Sequence, residues 1–203
     1  PAFYACYDDQ GEISEERTRA LVEYLHGKRV QGLYVGGSSG ECIYHSLEER
    51  MKVLTYTAEA ARGKLALIAH VGAPSTRDSI ILARHAAELG YDALSAIPPI
   101  YYKLPDSTVM RYWNDIIDAT PLGFIIYNIP QTTGYQLSTA VLEQMLRNPK
   151  VIGVKNSSMP TLDIERFKRV GGERFIVFNG PDEQYVSGRI MGADAGIGGT
   201  YGA

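Results

Sequence analysis

Short apolar runs bounded by turn-forming residues recur at about 31–36, 65–71, 92–97, 122–127, 151–155, 175–178 and 194–198. Each has the length of a buried strand, and helix-like segments separate each run from the next. Leu47, Met51 and Leu54 show helical spacing, and Ser46, three before Glu49, supplies a capping box ahead of them. Ser75, Asp106 and Ser138 are N-cap candidates for three more helices. Regular alternation of strand and helix predicts repeated βα units around a parallel sheet. Counting Ala2-Phe3-Tyr4-Ala5 as the remnant of a first strand gives eight strands, so the expected fold class is α/β, a (β/α)8 TIM barrel. An open doubly wound sheet with a nucleotide site would place a glycine fingerprint at the first strand–helix turn. The cluster Gly36-Gly37-Ser38-Ser39-Gly40 instead follows the second predicted strand and fits neither G-x-G-x-x-G nor a Walker loop. The expectation is one barrel domain over residues 1–203, incomplete in that part of strand one, the last barrel helix and the C-terminal helices are missing.

Composition narrows the class of function. The 203 residues are 45% hydrophobic and 21% charged, enough apolar material for a substantial core. A formal net charge of −3, with no basic run beyond Lys28-Arg29, argues against a nucleic-acid partner. Apolar stretches are too short to predict a membrane span. Two cysteines, Cys6 and Cys42, are too few for a disulfide framework, and a cytoplasmic location is expected. Neither cysteine has metal-ligand spacing to another Cys or His, and His26, His45, His70 and His85 form no cluster in sequence. No metal or cofactor is therefore expected. His70 reads as a satisfied core histidine.

The chemistry gathers where strands end, because the C-terminal mouth of such a barrel is where catalytic groups converge. Lys155 ends the run Val151-Ile152-Gly153-Val154, and strand alternation puts Val151, Gly153 and Lys155 on one face. If that face lines the barrel, the amine is a nucleophile held in a dry interior. The alternative is a lysine whose stem packs on the strand end while its ammonium reaches water. Tyr127 follows Ile125 at strand spacing and is expected to face the same interior, where a tyrosine beside a cation can carry protons. Most of the fourteen tyrosines must be structural, so convergence carries the reading rather than Tyr127 alone. Gly36-Gly37-Ser38-Ser39-Gly40 can offer successive N–H groups and two hydroxyls to a carboxylate, although glycine–serine loops are also ordinary turns. An anion loop, a tyrosine and a lysine on three strands are the parts needed for covalent catalysis on a 2-oxo acid. Asp182 and Glu183 stand at a helix start, where acidic groups are favoured with or without a ligand.

Three motifs in order, Gly36-Gly37-Ser38-Ser39-Gly40-Glu41, Tyr127-Asn128-Ile129-Pro130 and Gly153-Val154-Lys155, resemble the pyruvate-dependent class I aldolase superfamily of N-acetylneuraminate lyases and dihydrodipicolinate synthases. Leu67–Gly72, Ala96–Tyr102, Phe178–Glu183 and Gly196–Tyr201 are similar to the lyase versions of those segments. The resemblance implies a Schiff base on Lys155, a carboxylate held by Ser38 and Ser39, and a proton moved by Tyr127. It matches Ser39 and Tyr101 to a hydroxyl relay, the tyrosine reaching in from a neighbouring subunit of a homotetramer built as a dimer of dimers. Ser157, Gly180, Asp182, Glu183 and Gly199 fall where lyases bind the polyhydroxylated tail of the sugar acid, and pyruvate and N-acetylmannosamine are the implied products. Synthases carry an arginine shortly after the Tyr-Asn-x-Pro motif, whereas here stand Gln131-Thr132-Thr133, and position 199 is glycine where some lyases place a serine. Another pyruvate-dependent 2-keto-3-deoxy sugar-acid aldolase, a dihydrodipicolinate synthase-like enzyme and a non-catalytic sensor of pyruvate or sialic acid are the alternatives.

Overall fold

The computed structural model describes residues 1–202; Ala203, the last residue of the expected domain, lies outside them. Seven parallel strands, β1 (Gly32–Val35), β2 (Ala66–His70), β3 (Ala93–Ala96), β4 (Gly123–Asn128), β5 (Val151–Asn156), β6 (Ile176–Asn179) and β7 (Ala195–Gly196), follow one another in chain order across a single sheet. The strands match the predicted runs to within about a residue or two, because each apolar run stops where a glycine or polar turn begins.

The remnant strand is shorter than the apolar pattern suggested, since only Ala2 pairs, in a parallel bridge to Tyr34. Its N–H donates to the Gly198 carbonyl at 2.9 Å, while the Phe3 N–H donates to Tyr34. Residues 1–3 therefore lie between β1 and the end of β7 and bring the two edges of the sheet together.

Helices α1 (Glu15–Gly27), α2 (Leu47–Ala61), α3 (Thr76–Glu88), α4 (Asp106–Asp118), α5 (Pro130–Thr133), α6 (Thr139–Met145), α7 (Leu162–Gly171) and α8 (Tyr185–Ile190) occupy the connections. Ser46 and Glu49 form the predicted capping box, and Ser75 and Ser138 cap α3 and α6. Asp106 is a correction: Pro105 is the cap residue of α4 and Asp106 is already in its first turn. Its carboxylate instead accepts a hydrogen bond from the Tyr135 hydroxyl at 2.8 Å.

Two apolar regions result. The larger lies between sheet and helices; the smaller, inside the ring, contains Ala2, Tyr34, Tyr127 and Ile197 with Ile68, Ile97, Ile129 and Phe178 against them. Helix α4 shows how the outer core is built, with Val109, Tyr112, Trp113, Ile116 and Ile117 buried on one face at helical spacing. Trp113 is 1% exposed, and its indole N–H is buried without a partner. Trp113→Ala is expected to cost about 3–5 kcal/mol through lost burial and the cavity left behind. Trp113→Phe should cost less, because it keeps a ring and removes an unpaired donor. Thermal unfolding of the two variants checks this; equal losses would place the weight elsewhere.

Candidate active site

Lys155 lies in register with Tyr127 across the β4–β5 pairing and is 4% exposed. Its Nζ sits 3.7 Å from the Tyr127 ring centroid and 4.3 Å from that of Tyr34, so two aromatic faces flank the amine. Among the described residues no carboxylate forms an ion pair with it. The ring faces of Tyr34 and Tyr127 stand where a counter-ion would otherwise be. Lys155 is thus inside the ring, as alternation along the strand predicted, rather than reaching outward to water.

The Tyr127 phenol feels two opposed influences. Burial is the larger single one and pushes its pKa up, but the Lys155 charge and polar contacts from Lys155, Ser38 and Ser157 together hold it below the usual phenol range. The adjoining asparagines keep both strand mouths in place. Asn128 Nδ2 donates to Asn156 Oδ1 at 2.7 Å, Asn156 Nδ2 donates to Ser158 at 2.9 Å, and the Ser158 hydroxyl donates to Asp163 at 2.8 Å. The Leu137 N–H completes the chain by donating to Asn128 Oδ1 at 3.0 Å. Such a satisfied network fixes a polar neighbourhood in one arrangement.

Beyond β1 the chain makes a tight 3-10 turn at Ser38–Gly40, entered through Gly36 at φ 72° and left through Glu41 at φ 55°. Glycine accepts the first of these conformations without steric cost. The turn brings the Ser38 hydroxyl to 3.4 Å from the Tyr127 hydroxyl. Ser39 does not make this approach; its hydroxyl lies beside Gly199. Within this chain the geometry therefore gives Ser38, not Ser39, the position next to Tyr127.

Tyr101 is 90% exposed, at φ 82°, with its ring edge-on to Tyr102. It makes no approach to Tyr127 within the chain. Across the mouth, the Gly180 N–H donates to Asn156, and a side chain at Gly180 would overlap the Ser157 hydroxyl, so this glycine permits the close approach. Asp182 accepts from the Thr200 N–H at 2.8 Å and the Thr200 hydroxyl at 2.9 Å through Oδ2, while Oδ1 is buried without a partner against Gly198. Glu183 is exposed on the same turn, and the Gly199 carbonyl accepts from the Tyr4 hydroxyl at 2.9 Å.

Two buried groups, Tyr34 and Arg50, escaped the reading of the sequence, while His70 is the satisfied core histidine that was expected. Tyr34 lines Lys155, its hydroxyl donating to Ser95 at 2.9 Å. His70 Nδ1 meets the Gly36 carbonyl at 2.7 Å and Nε2 receives the Ile97 N–H at 3.3 Å, a pattern met by neutral imidazole with its proton on Nδ1. Burial, then the Arg50 charge, holds its pKa well below the usual range and keeps it neutral. Arg50 is buried too, its guanidinium donating to the carbonyls of Gly72 at 2.8 Å and His70 at 2.9 Å. Strand alternation could have placed Tyr34 inside the ring; nothing local marks Arg50.

Among the described residues no helix is long and apolar enough to cross a membrane, and no cluster of three or more His, Cys, Asp or Glu side chains is gathered for a metal ion.

Comparison with known proteins bears on what this constellation does. The model of the dihydrodipicolinate synthetase family matches residues 1–202. An N-acetylneuraminate lyase of Mediterraneibacter gnavus is 55% identical over 204 residues, the match covering 100% of this chain and 65% of the relative. One of Rhizobium meliloti is 41% identical, over 96% of this chain and 64% of the relative. The chain thus spans slightly under two thirds of the length of these curated relatives. The structure of wild-type Ruminococcus gnavus sialic acid aldolase superposes with a TM-score of 0.98 at 55% identity, covering 100% of this chain and 67% of that one.

Proposed function

Because the chain belongs to the dihydrodipicolinate synthetase family, we propose that it is a Schiff-base aldolase that reversibly cleaves N-acetylneuraminate to N-acetylmannosamine and pyruvate. One observation carries the reading: a buried lysine amine without a carboxylate partner, flanked by Tyr34 and Tyr127, at the mouth of a barrel. High identity to lyases and to a sialic acid aldolase supports the substrate.

The Lys155 amine adds to the ketone carbon of the open-chain sugar acid, and loss of water leaves an iminium. The turn at Ser38 and Ser39 holds the carboxylate through hydroxyls and N–H groups. Tyr127 takes the proton of the substrate hydroxyl, directly or through that carboxylate, with Ser38 beside it. The adjacent carbon–carbon bond breaks, its electron pair passes into the iminium to form an enamine, and the aldehyde leaves. Protonation of the enamine carbon and addition of water then release pyruvate and the free amine. No metal or other cofactor takes part.

Ser157, Gly180, Asp182, Glu183 and Gly199 surround the place of the sugar tail. The unpartnered Asp182 Oδ1 is an acceptor for one of its hydroxyls. Tyr101, exposed and held at positive φ, completes the relay from a neighbouring subunit, in a cytoplasmic homotetramer arranged as a dimer of dimers. The synthase alternative lacks its cation. Gln131-Thr132-Thr133 follows Pro130, and both threonine hydroxyls turn back to the Ile129 carbonyl.

Intact mass after borohydride treatment tests the proposal. N-acetylneuraminate and pyruvate are each expected to leave a pyruvate-derived adduct on Lys155. An adduct from pyruvate alone would redirect the assignment to another sugar acid, and none from either would overturn the aldolase reading.

A further inference from the structure

The Ser38–Gly40 turn leaves through Glu41 in the left-handed region, where a residue with a side chain is strained by about 1 kcal/mol or more. Its internal ties are the Gly40 N–H to Gly37 and the Glu41 N–H to Ser38, both at 3.0 Å. Another part of the chain holds the Glu41 side chain. The Tyr7 hydroxyl donates to Glu41 Oε2 at 2.7 Å and lies 2.7 Å from His45 Nε2. A phenol has one proton and the carboxylate has none to give, so His45 meets the phenol oxygen with an Nε2–H. The rings of Tyr7 and His45 also pack edge to face, 5.8 Å apart. Burial, followed by Glu41, pushes the Tyr7 pKa up to about 12, which keeps the phenol protonated as the donor.

Tyr7 itself stands on a firm base. It bridges Ile13 in an antiparallel pair, its carbonyl accepts from Arg17 at 2.6 Å, and the Ser14 N–H donates to Cys6 at 2.8 Å just before α1. The latch therefore runs from the start of α1 to the far end of the turn that carries Ser38.

We propose that Tyr7 is a positioning residue, latching Glu41 and His45 so that the Ser38–Gly40 turn is preformed for the substrate carboxylate. This rests on the aldolase reading above for its functional consequence, but the latch is a physical feature that can be tested separately. A preformed anion loop spends less binding energy on ordering itself. Loss of the phenol hydroxyl therefore acts on carboxylate affinity and leaves the amine and Tyr127 in place.

Tyr7→Phe, Glu41→Ala and Glu41→Gln are compared with the parent chain by two measurements. Amide hydrogen exchange of the peptide spanning residues 36–46 reads the latch, and the pyruvate concentration that half-saturates borohydride trapping reads its consequence. Tyr7→Phe and Glu41→Ala are expected to speed exchange about tenfold and raise half-saturation roughly fivefold to tenfold, the scale of one hydrogen bond. The maximal extent of trapping should stay unchanged. Glu41→Gln keeps an acceptor for Tyr7 and should remain within about twofold of the parent in both. Unchanged exchange in Tyr7→Phe overturns the latch, and faster exchange with unaltered pyruvate dependence overturns its positioning role. A parent chain that traps no pyruvate refutes the aldolase reading instead, with hydrogen exchange still deciding the latch.

Discussion

Lys155→Ala is expected to eliminate the borohydride-trapped adduct and to lower cleavage of N-acetylneuraminate by about 10⁴-fold or more, the scale on which removing a covalent nucleophile acts. Neighbouring groups offer no substitute. Tyr34 and Tyr127 present ring faces to the amine, and His70 is committed through both nitrogens to Gly36 and Ile97. The variant should nevertheless fold. Truncating the side chain strands no carboxylate, because none pairs with the amine, so the melting temperature should stay close to that of the parent. A simple packing role predicts the reverse: lower stability from the cavity and no specific loss of trapping. Persistence of a trapped adduct in Lys155→Ala would place the Schiff base on another amine.

Tyr127→Phe separates capture from cleavage. The ring remains against Lys155, so pyruvate should still be trapped, whereas turnover of N-acetylneuraminate should fall about 10²–10⁴-fold for want of a proton carrier. Burial pushes the phenol's pKa up, but the Lys155 charge and nearby hydroxyls together bring it below the ordinary phenol value, which eases the loss and return of the proton it carries. Steady-state kinetics beside single-turnover trapping make the measurement. Equal losses in both would mean that the hydroxyl serves Schiff-base formation itself and not cleavage alone; no loss of turnover would remove Tyr127 from the reaction.

The sequence carried most of the architecture because each buried strand is a short apolar run closed by a glycine or polar turn, and four of the helices, α1, α2, α3 and α6, begin with a serine side-chain cap. Ser46, Ser75 and Ser138 cap helices as their spacing implied. Asp106 misled because an acidic residue is equally favourable in the first helical turn, and Pro105 before it serves as the cap position. Lys155 and Tyr127 were legible as inward residues because a strand alternates with a period of two. Ser38 and Ser39 were not separable on that basis. They sit in a 3-10 turn, where the direction of a side chain depends on the dihedral angles at Gly36 and Glu41, and periodicity does not report those angles.

What the chain determines by itself is local and ordinal: which segments become strands, which residues cap helices, and in what order loop, tyrosine and lysine arrive at the mouth. The tertiary structure alone decides what meets across strands. Only when Ala2 bridges Tyr34 and Gly198 do the edges come together, and only then do Tyr34 and Tyr127 flank one amine from separate strands. Arg50 finds carbonyls twenty residues away or more, and Tyr7 reaches Glu41 and His45 across more than thirty. The physical reason is that burial, hydrogen-bond partnership and charge environment belong to pairs of residues distant in sequence. Propensity and periodicity are properties of neighbours.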